Sequence, residues 1–263
     1  MSEAVFFARA LLLTKTSSEV HLQQRSWFFP AMAGVALFAV AVGFSRTYAA
    51  PMAQGTFTGP SILHVHGAFA FSWVLLFLVQ PLLVRWGRIR WHRVIGRLGL
   101  PLAIGIAITM VPAGVFQVTR DVAAGGGATA ISMMLGVLTS GVLFLALVTT
   151  GIVARRHRDA HARWLLLATL VVIWPAWFRW RHWFPSVPRP DIVFGSVLAF
   201  SWIFVAMLRD RVTRGAIHPV LKYGGAAVIL EQAFEVWAFD SPWWRATAQA
   251  VYDWLSQCAI HIL

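Results

Sequence analysis

Residues 62–99 read ILHVHGAFAFSWVLLFLVQPLLVRWGRIRWHRVIGRLG. The run from Ile62 to Val84 contains no Asp, Glu, Lys or Arg, and a cluster of arginines follows it. A bilayer core about 30 Å thick needs some 20 apolar helical residues to cross it. The stretch therefore predicts a transmembrane helix that ends at the arginines.

The composition of the whole chain points to the same environment. Hydrophobic residues make up 59% of it and charged residues only 12%, whereas about a quarter of the residues in a soluble domain are charged. The net charge of +12 would suit nucleic acid, but the basic residues lie in short clusters between apolar runs. That distribution predicts a partner in the lipid bilayer and no nucleic-acid binding.

Apolar runs of membrane-spanning length recur along the chain. They predict an all-α integral membrane protein, a bundle of about seven transmembrane helices. The predicted spans are Trp27–Phe44, Ile62–Val84, Leu98–Val118, Ala128–Val153, Trp164–Phe178, Ile192–Leu208 and Val220–Phe239. Pro175 predicts a distortion near the end of the fifth span.

The loops between the spans predict the orientation. Residues 85–97 hold five arginines, residues 154–163 hold four, and residues 209–222 hold four basic residues, all on one side of a seven-span bundle. The positive-inside rule makes that side cytoplasmic. We expect a bacterial inner-membrane protein with a cytoplasmic tail (1–26), a membrane domain (27–239) and a periplasmic amphipathic helix (240–263).

Local signals support this path through the membrane. The first residues, through about Lys15, lack the cleavage pattern of a signal peptide. Gly125–Gly127 predicts a tight turn between the third and fourth spans, because glycine reaches conformations closed to other residues. Ser241 and Pro242 predict the N-cap and first residue of the last helix.

Four motifs resemble those of a widespread family of bacterial polytopic membrane proteins without an assigned activity. They are carried by RSWFFPAMAGVALFAVAVGFSRTY, LHVHGAFAFSWVLLFLVQPLLV, WHRVIGRLG and DAHARWLLLATL, in that order along the chain. The resemblance implies a multi-spanning inner-membrane protein. It places His64, His66, His92 and His161 in motif positions, which makes them candidate cofactor ligands.

Polar residues within the spans predict a pocket. His66, Trp73 and Gln80 follow one another at seven-residue steps and share a helical face. Glu231 and Glu235 lie four residues apart in the last span, where carboxylates need a partner or a proton. With Arg179, Arg181 or His66 as that partner, Trp73, Gln80, Glu231 and Glu235 would line a pocket for a small polar ligand, a quinone or a proton relay. An interhelical ion pair is the alternative interpretation.

Histidines at the span ends suggest a cofactor. His157 and His161 are four residues apart, and His92 lies in a neighbouring loop, so the three are candidate metal ligands. Axial ligation of b-type haem needs two facing histidines, and either His66 with His182 or His92 with His161 would supply them. The alternative is that these residues are solvated and set the topology.

These features lead to three functional hypotheses. The first is a haem- or metal-binding protein linked to redox chemistry through its histidines. The second is a transporter for a small polar substrate or a proton-coupled permeation protein, with a pathway along His66, Arg179, Glu231 and Glu235. The third is an accessory or assembly subunit whose partner is another membrane protein.

Overall fold

The structure, a computed structural model, describes residues 26–259. The described residues form helices and turns without a strand. Residues 1–25 and the last four residues lie outside the described part of the chain. The first group includes most of the predicted cytoplasmic tail and the N-terminal segment that lacks a signal-peptide cleavage pattern.

Eleven helices follow one another along the described chain, and we number them in order. They are α1 (Phe28–Phe44), α2 (Ser61–Arg85), α3 (Ile89–Gly96), α4 (Gly99–Asp121), α5 (Gly127–Ser132), α6 (Met134–Val153), α7 (Arg158–Val172), α8 (Trp174–Phe178), α9 (Ala199–Arg214), α10 (Gly225–Ala238) and α11 (Pro242–Ala259). A wide helical turn at Ser45–Ala49 and a four-residue α-helical turn at Ala50–Ala53 extend α1. Further wide turns follow α4 at Val122–Gly126, precede α9 at Asp191–Leu198 and precede α10 at Val220–Gly224. Short tight turns lie at Ala154–Arg156 and Arg179–His182.

The prediction of an all-α membrane bundle is confirmed. Six helical segments are long and apolar enough to cross a bilayer. Many of their large apolar side chains face outward, among them Ile108, Val142 and Leu208, each more than 60% exposed. An outward apolar surface of this kind is suited to lipid, because hydrocarbon solvates it without cost.

The length and apolarity of its helix do not identify the predicted seventh span as membrane-crossing. The segment 220–238 carries Lys222, Glu231 and Glu235 and is not among the six. Its ends nevertheless contact opposite ends of the bundle: the His218 amide donates to Asp210, while Asp240 accepts from Thr129 and Ser132. Seven spans remain a prediction, which this path favours.

We name the two ends of the bundle by the predicted orientation. The inner end carries residues 85–97, 154–163 and 209–222, and the outer end is the opposite one. The main core lies between them and packs α1, α2, α4, α6, α7, α8 and α9 together. A second core at the outer end packs α11 against α4, α5 and α6 around Trp244.

Local predictions agree with the backbone. Gly125 and Gly127 have φ angles of 91° and 54°, which confirms the glycine turn. Pro242 begins α11, and the Ser241 hydroxyl accepts from the amide of Trp244 at 3.4 Å. The fifth span breaks after Val172 and resumes at Trp174 with Pro175 in its first turn, as the proline predicts.

Candidate functional site

Two of the motif histidines meet at the inner end of the bundle. His92 lies on the short helix α3, which the chain forms as it turns back after α2, and His161 lies in the first turns of α7. Their ring centroids are 6.5 Å apart and their ring planes are nearly perpendicular, at 87°. The structure thus brings together one of the two histidine pairs that the sequence suggested.

Each ring of this pair is held through the same nitrogen. His161 Nδ1 lies 2.7 Å from the carbonyl oxygen of Gly151, which fits donation from the ring to the backbone. His92 Nδ1 lies 3.4 Å from the backbone carbonyl oxygen of Gln80, and the side-chain amide nitrogen of Gln80 donates to the same ring nitrogen at 2.5 Å. Neither Nε2 atom has a hydrogen-bond partner among the described residues.

Both exposed apolar side chains and exposed arginines surround the pair. Trp91 and Val94, on either side of His92, are 53% and 45% exposed. The arginines of this loop are exposed, and in the described part of the chain no carboxylate lies within 4.0 Å of any of them: Arg88, Arg90, Arg93 and Arg97. An apolar ring system with acidic substituents would find both kinds of contact here.

The structure does not support the predicted site for a metal ion. Among residues 26–259, no three or more His, Cys, Asp or Glu side chains are grouped so that they could hold a metal. His157, the third member of the set with His92 and His161, is exposed and lies in the bend before α7. Its place outside the regular helix removes the four-residue spacing as an argument for a shared face.

The other two motif histidines lie far from this pair, at the outer end of α2. His64 Nδ1 lies 2.7 Å from the hydroxyl of Tyr48, and its ring packs on Phe57. His66 Nδ1 lies 3.0 Å from the hydroxyl of Thr109. Because α2 has 25 residues, its ends are about 37 Å apart, so the four motif histidines cannot share one cofactor.

The contact with Thr109 determines which ring nitrogen of His66 carries the proton. The Thr109 hydroxyl donates to the carbonyl of Gly105 at 2.6 Å. It therefore accepts from His66, whose proton sits on Nδ1. No contact between His66 and His182 supports their suggested partnership within the described part of the chain: His66 Nδ1 lies against Thr109. The backbone carbonyl of His182 accepts from Arg46.

The structure distributes the predicted polar pocket over separate parts of the bundle. Trp73 donates from its indole to Thr169 at 3.1 Å in the main core. Gln80 belongs to the inner end with His92. Glu235 is buried against α6, where it accepts from Thr139 and from Gln232. These residues share sequence periodicity without sharing a cavity.

The remaining members of that pocket also lie apart. Glu231 interacts with Glu235 one turn away, and its Oε1 is buried without a partner among the described residues. Arg179 lies at the outer end, within electrostatic range of His66. It donates to the carbonyl of Pro175 at 3.0 Å and stacks on Phe44, and it does not pair with either glutamate.

The strongest polar contact in the bundle was missed by the sequence analysis. Arg163 and Asp210, each 1% exposed, form a two-point ion pair between α7 and α9. Arg163 Nε donates to Asp210 Oδ2 at 2.8 Å, and the second contact is 2.5 Å long. Only the motif position of Arg163, two residues after His161, hinted at a role beyond topology.

Comparisons with protein families, with curated proteins and with solved structures gave no match for this chain. The structure shows an all-α membrane-spanning bundle with two neighbouring histidine rings at its inner end.

Proposed function

We propose that this chain is a haem-binding, redox-linked membrane protein and that His92 and His161 are the two axial ligands of a b-type haem. The observation that carries the proposal is the distance between the two neighbouring rings. A bond from a metal to an imidazole nitrogen is about 2 Å long, so two imidazoles on opposite sides of one iron lie roughly 6 Å apart between centroids. The observed separation is 6.5 Å.

The hydrogen bonds of the pair support the same chemistry. Histidines that bind a metal usually hold their other ring nitrogen against a carbonyl or carboxylate, which fixes the ring and raises its basicity. Here His161 Nδ1 lies against the Gly151 carbonyl and His92 Nδ1 against the backbone carbonyl of Gln80, while neither Nε2 atom has a hydrogen-bond partner among the described residues. Ligation through His92 Nε2 requires the ring proton on Nδ1, where the backbone carbonyl oxygen of Gln80 can accept it. The side-chain amide of Gln80, whose nitrogen donates to Nδ1 in this structure, must then turn that nitrogen away from the ring.

The number of ligands separates haem from a bare metal ion. A zinc or non-haem iron site usually takes three or four protein ligands, and no such group exists among the described residues. A porphyrin supplies four nitrogens itself and needs only two axial side chains. When bound, haem would supply one-electron transfer. The protein would orient it through the two rings and offer loop arginines to its propionates.

The placement suits a group that exchanges electrons near a membrane surface. α3 follows the inner end of α2 and carries exposed apolar side chains next to His92. By the positive-inside rule we assign this end to the cytoplasmic face of a bacterial inner membrane. That assignment places the haem within reach of a partner on that side.

The test is spectroscopic. The full chain, purified in mild detergent after expression with haem precursor, is expected to show a band that sharpens on reduction with dithionite. Stoichiometric haem is expected to be lost in His92→Ala and His161→Ala, while His157→Ala, at an exposed position of the same end, retains it. A His92→Met variant adds a second readout, because a changed axial ligand shifts the spectrum and potential of bound haem. Haem content equal in all four variants would refute the proposal.

A further inference from the structure

Four arginines gather at the outer end of the bundle, and we call them the outer arginine cluster: Arg46, Arg120, Arg179 and Arg181. Separate parts of the fold supply them, namely the extension of α1, the end of α4 and the tight turn after α8. Arg179 lies within electrostatic range of Arg181 and Arg120, and Arg181 of Arg120. Arg46 donates to the carbonyl of His182 in the same turn, at 2.7 Å.

The cluster lacks matching negative charge. Among residues 26–259 its one carboxylate neighbour is Asp121, which lies 3.7 Å from Arg120 and already accepts from Gln117 at 2.9 Å through each oxygen. Within the described chain, Arg46, Arg179 and Arg181 have no carboxylate within 4.0 Å. Positive-inside topology explains arginines at the other end of the bundle and does not explain these.

Aromatic rings hold the unpaired guanidinium groups in place. Arg179 lies 4.4 Å from the centre of the Phe44 ring and Arg46 lies 3.9 Å from that of Trp183. Arg181 lies 3.8 Å from the centre of the Phe178 ring. Stacking orients a guanidinium and leaves its in-plane N–H groups free to donate. The cluster is thus ordered without having its donors used by carboxylates.

A cleft of about 170 Å³ adjoins the cluster. Arg120 lines it together with the threonines at 47, 56 and 58, which supply hydroxyl groups, and Phe57, Leu63 and Phe116 form its apolar side. The cleft lies beside the outer end of α2, where the helices that span the membrane end. It therefore faces the depth at which phospholipid headgroups lie.

We propose that the outer arginine cluster and this cleft bind a phosphate-bearing anion, with the headgroup of an anionic phospholipid as its source. A phosphate accepts paired hydrogen bonds from the forked guanidinium donors and supplies the negative charge that the cluster lacks. The apolar side of the cleft would contact the glycerol and first acyl carbons of the lipid. The site lies at the opposite end of α2 from the histidine pair and does not depend on haem.

The experiment measures the thermal unfolding midpoint of the full chain in neutral detergent during titration with three probes. The probes are inorganic phosphate, a short-chain phosphatidylglycerol and the matched phosphatidylcholine. We expect phosphatidylglycerol to raise the midpoint with saturation, at concentrations where phosphatidylcholine does not. If only inorganic phosphate stabilises the chain with saturation, the cluster binds phosphate, and the proposal that the phosphate belongs to a phospholipid is wrong.

Variants separate the site from general charge effects. Arg120→Gln changes a side chain that is 61% exposed, so we expect it to fold as the parent does. Arg120→Gln/Arg181→Gln removes two cluster charges. We expect at least a tenfold weaker midpoint response to phosphatidylglycerol in the double variant. Arg189→Gln, at an outer arginine that is paired with Asp191 at 2.8 Å, should respond as the parent does. Equal responses in all variants, or no response to any probe, would refute the site.

Discussion

The two ends of the bundle use arginine in opposite ways. At the inner end Arg163 is buried against Asp210, Arg209 adds a contact of 3.2 Å to the same carboxylate, and Arg214 pairs with Asp159 at 2.8 Å. At the outer end the arginine cluster has one carboxylate neighbour in the described part of the chain, Asp121, which already accepts from Gln117. The difference teaches that arginines of one membrane protein can be structural at one end and available for a ligand at the other.

The largest expected effect comes from breaking the buried ion pair of Arg163 and Asp210. Arg163→Met leaves Asp210 buried without its main partner and should lower the free energy of unfolding by about 3–5 kcal/mol. The double variant Arg163→Met/Asp210→Leu removes both charges, so we expect it to recover most of that loss. Denaturant unfolding in detergent measures both. A double variant as unstable as the single one would contradict the assignment of the cost to an unpaired charge.

The second largest effect concerns the close contact of α1 with α8. A Cβ added at Gly43 would clash with the carbonyl oxygen of Ala176, so Gly43→Ala should lower the free energy of unfolding by about 1–3 kcal/mol. Gly34 lies in the same helix with no atom within 4 Å of such a Cβ. Gly34→Ala is the matched control and should be neutral or slightly stabilising in the same unfolding assay. Equal effects would show that the two helices do not meet at Gly43.

A smaller effect is expected at the outer end, and it sharpens the contrast with Arg163. Arg179→Gln loses one hydrogen bond to the Pro175 carbonyl and a stacking contact on Phe44, while it relieves repulsion from Arg181. We expect the free energy of unfolding to change by less than about 1 kcal/mol. A loss as large as that of Arg163→Met would mean that the outer arginines are structural as well.

The smallest effect is a pH dependence outside the membrane spans. Hydrogen bonds from Arg245 lower the pKa of Asp240 to about 2. A depressed pKa stabilises the folded chain above the unfolded pKa of about 4. This contribution should disappear as the pH falls from about 4 to about 2. The unfolding midpoint of the parent should fall in that window more than that of Asp240→Asn; parallel curves would argue against the contact.

The sequence predicted the spans and turns because their signals are local. Charge-free runs mark the membrane helices, while Pro242 and the Gly125–Gly127 turn mark boundaries through their own backbone preferences. All of these signals can be read within one or two helical turns of sequence. The prediction of helices therefore needed no knowledge of which helices become neighbours.

The sequence could not predict the contacts that depend on how helices pair. Helical periodicity correctly placed His66, Trp73 and Gln80 on α2, but their partners lie on α4, α7 and α3. Arg163 and Asp210 are 47 residues apart in the chain, and Arg163 was counted among topology-setting residues. The pairing of His92 with His161 was one of two open choices, which only the tertiary fold could separate.

The most direct test of the central claim is the difference spectrum, reduced minus oxidised, of purified parent protein and of the His92→Ala and His161→Ala variants. The account predicts a b-type haem signal near one haem per chain in the parent and its loss in both variants. A parent that folds, is expressed with haem available and stays colourless would contradict the role of the histidine pair.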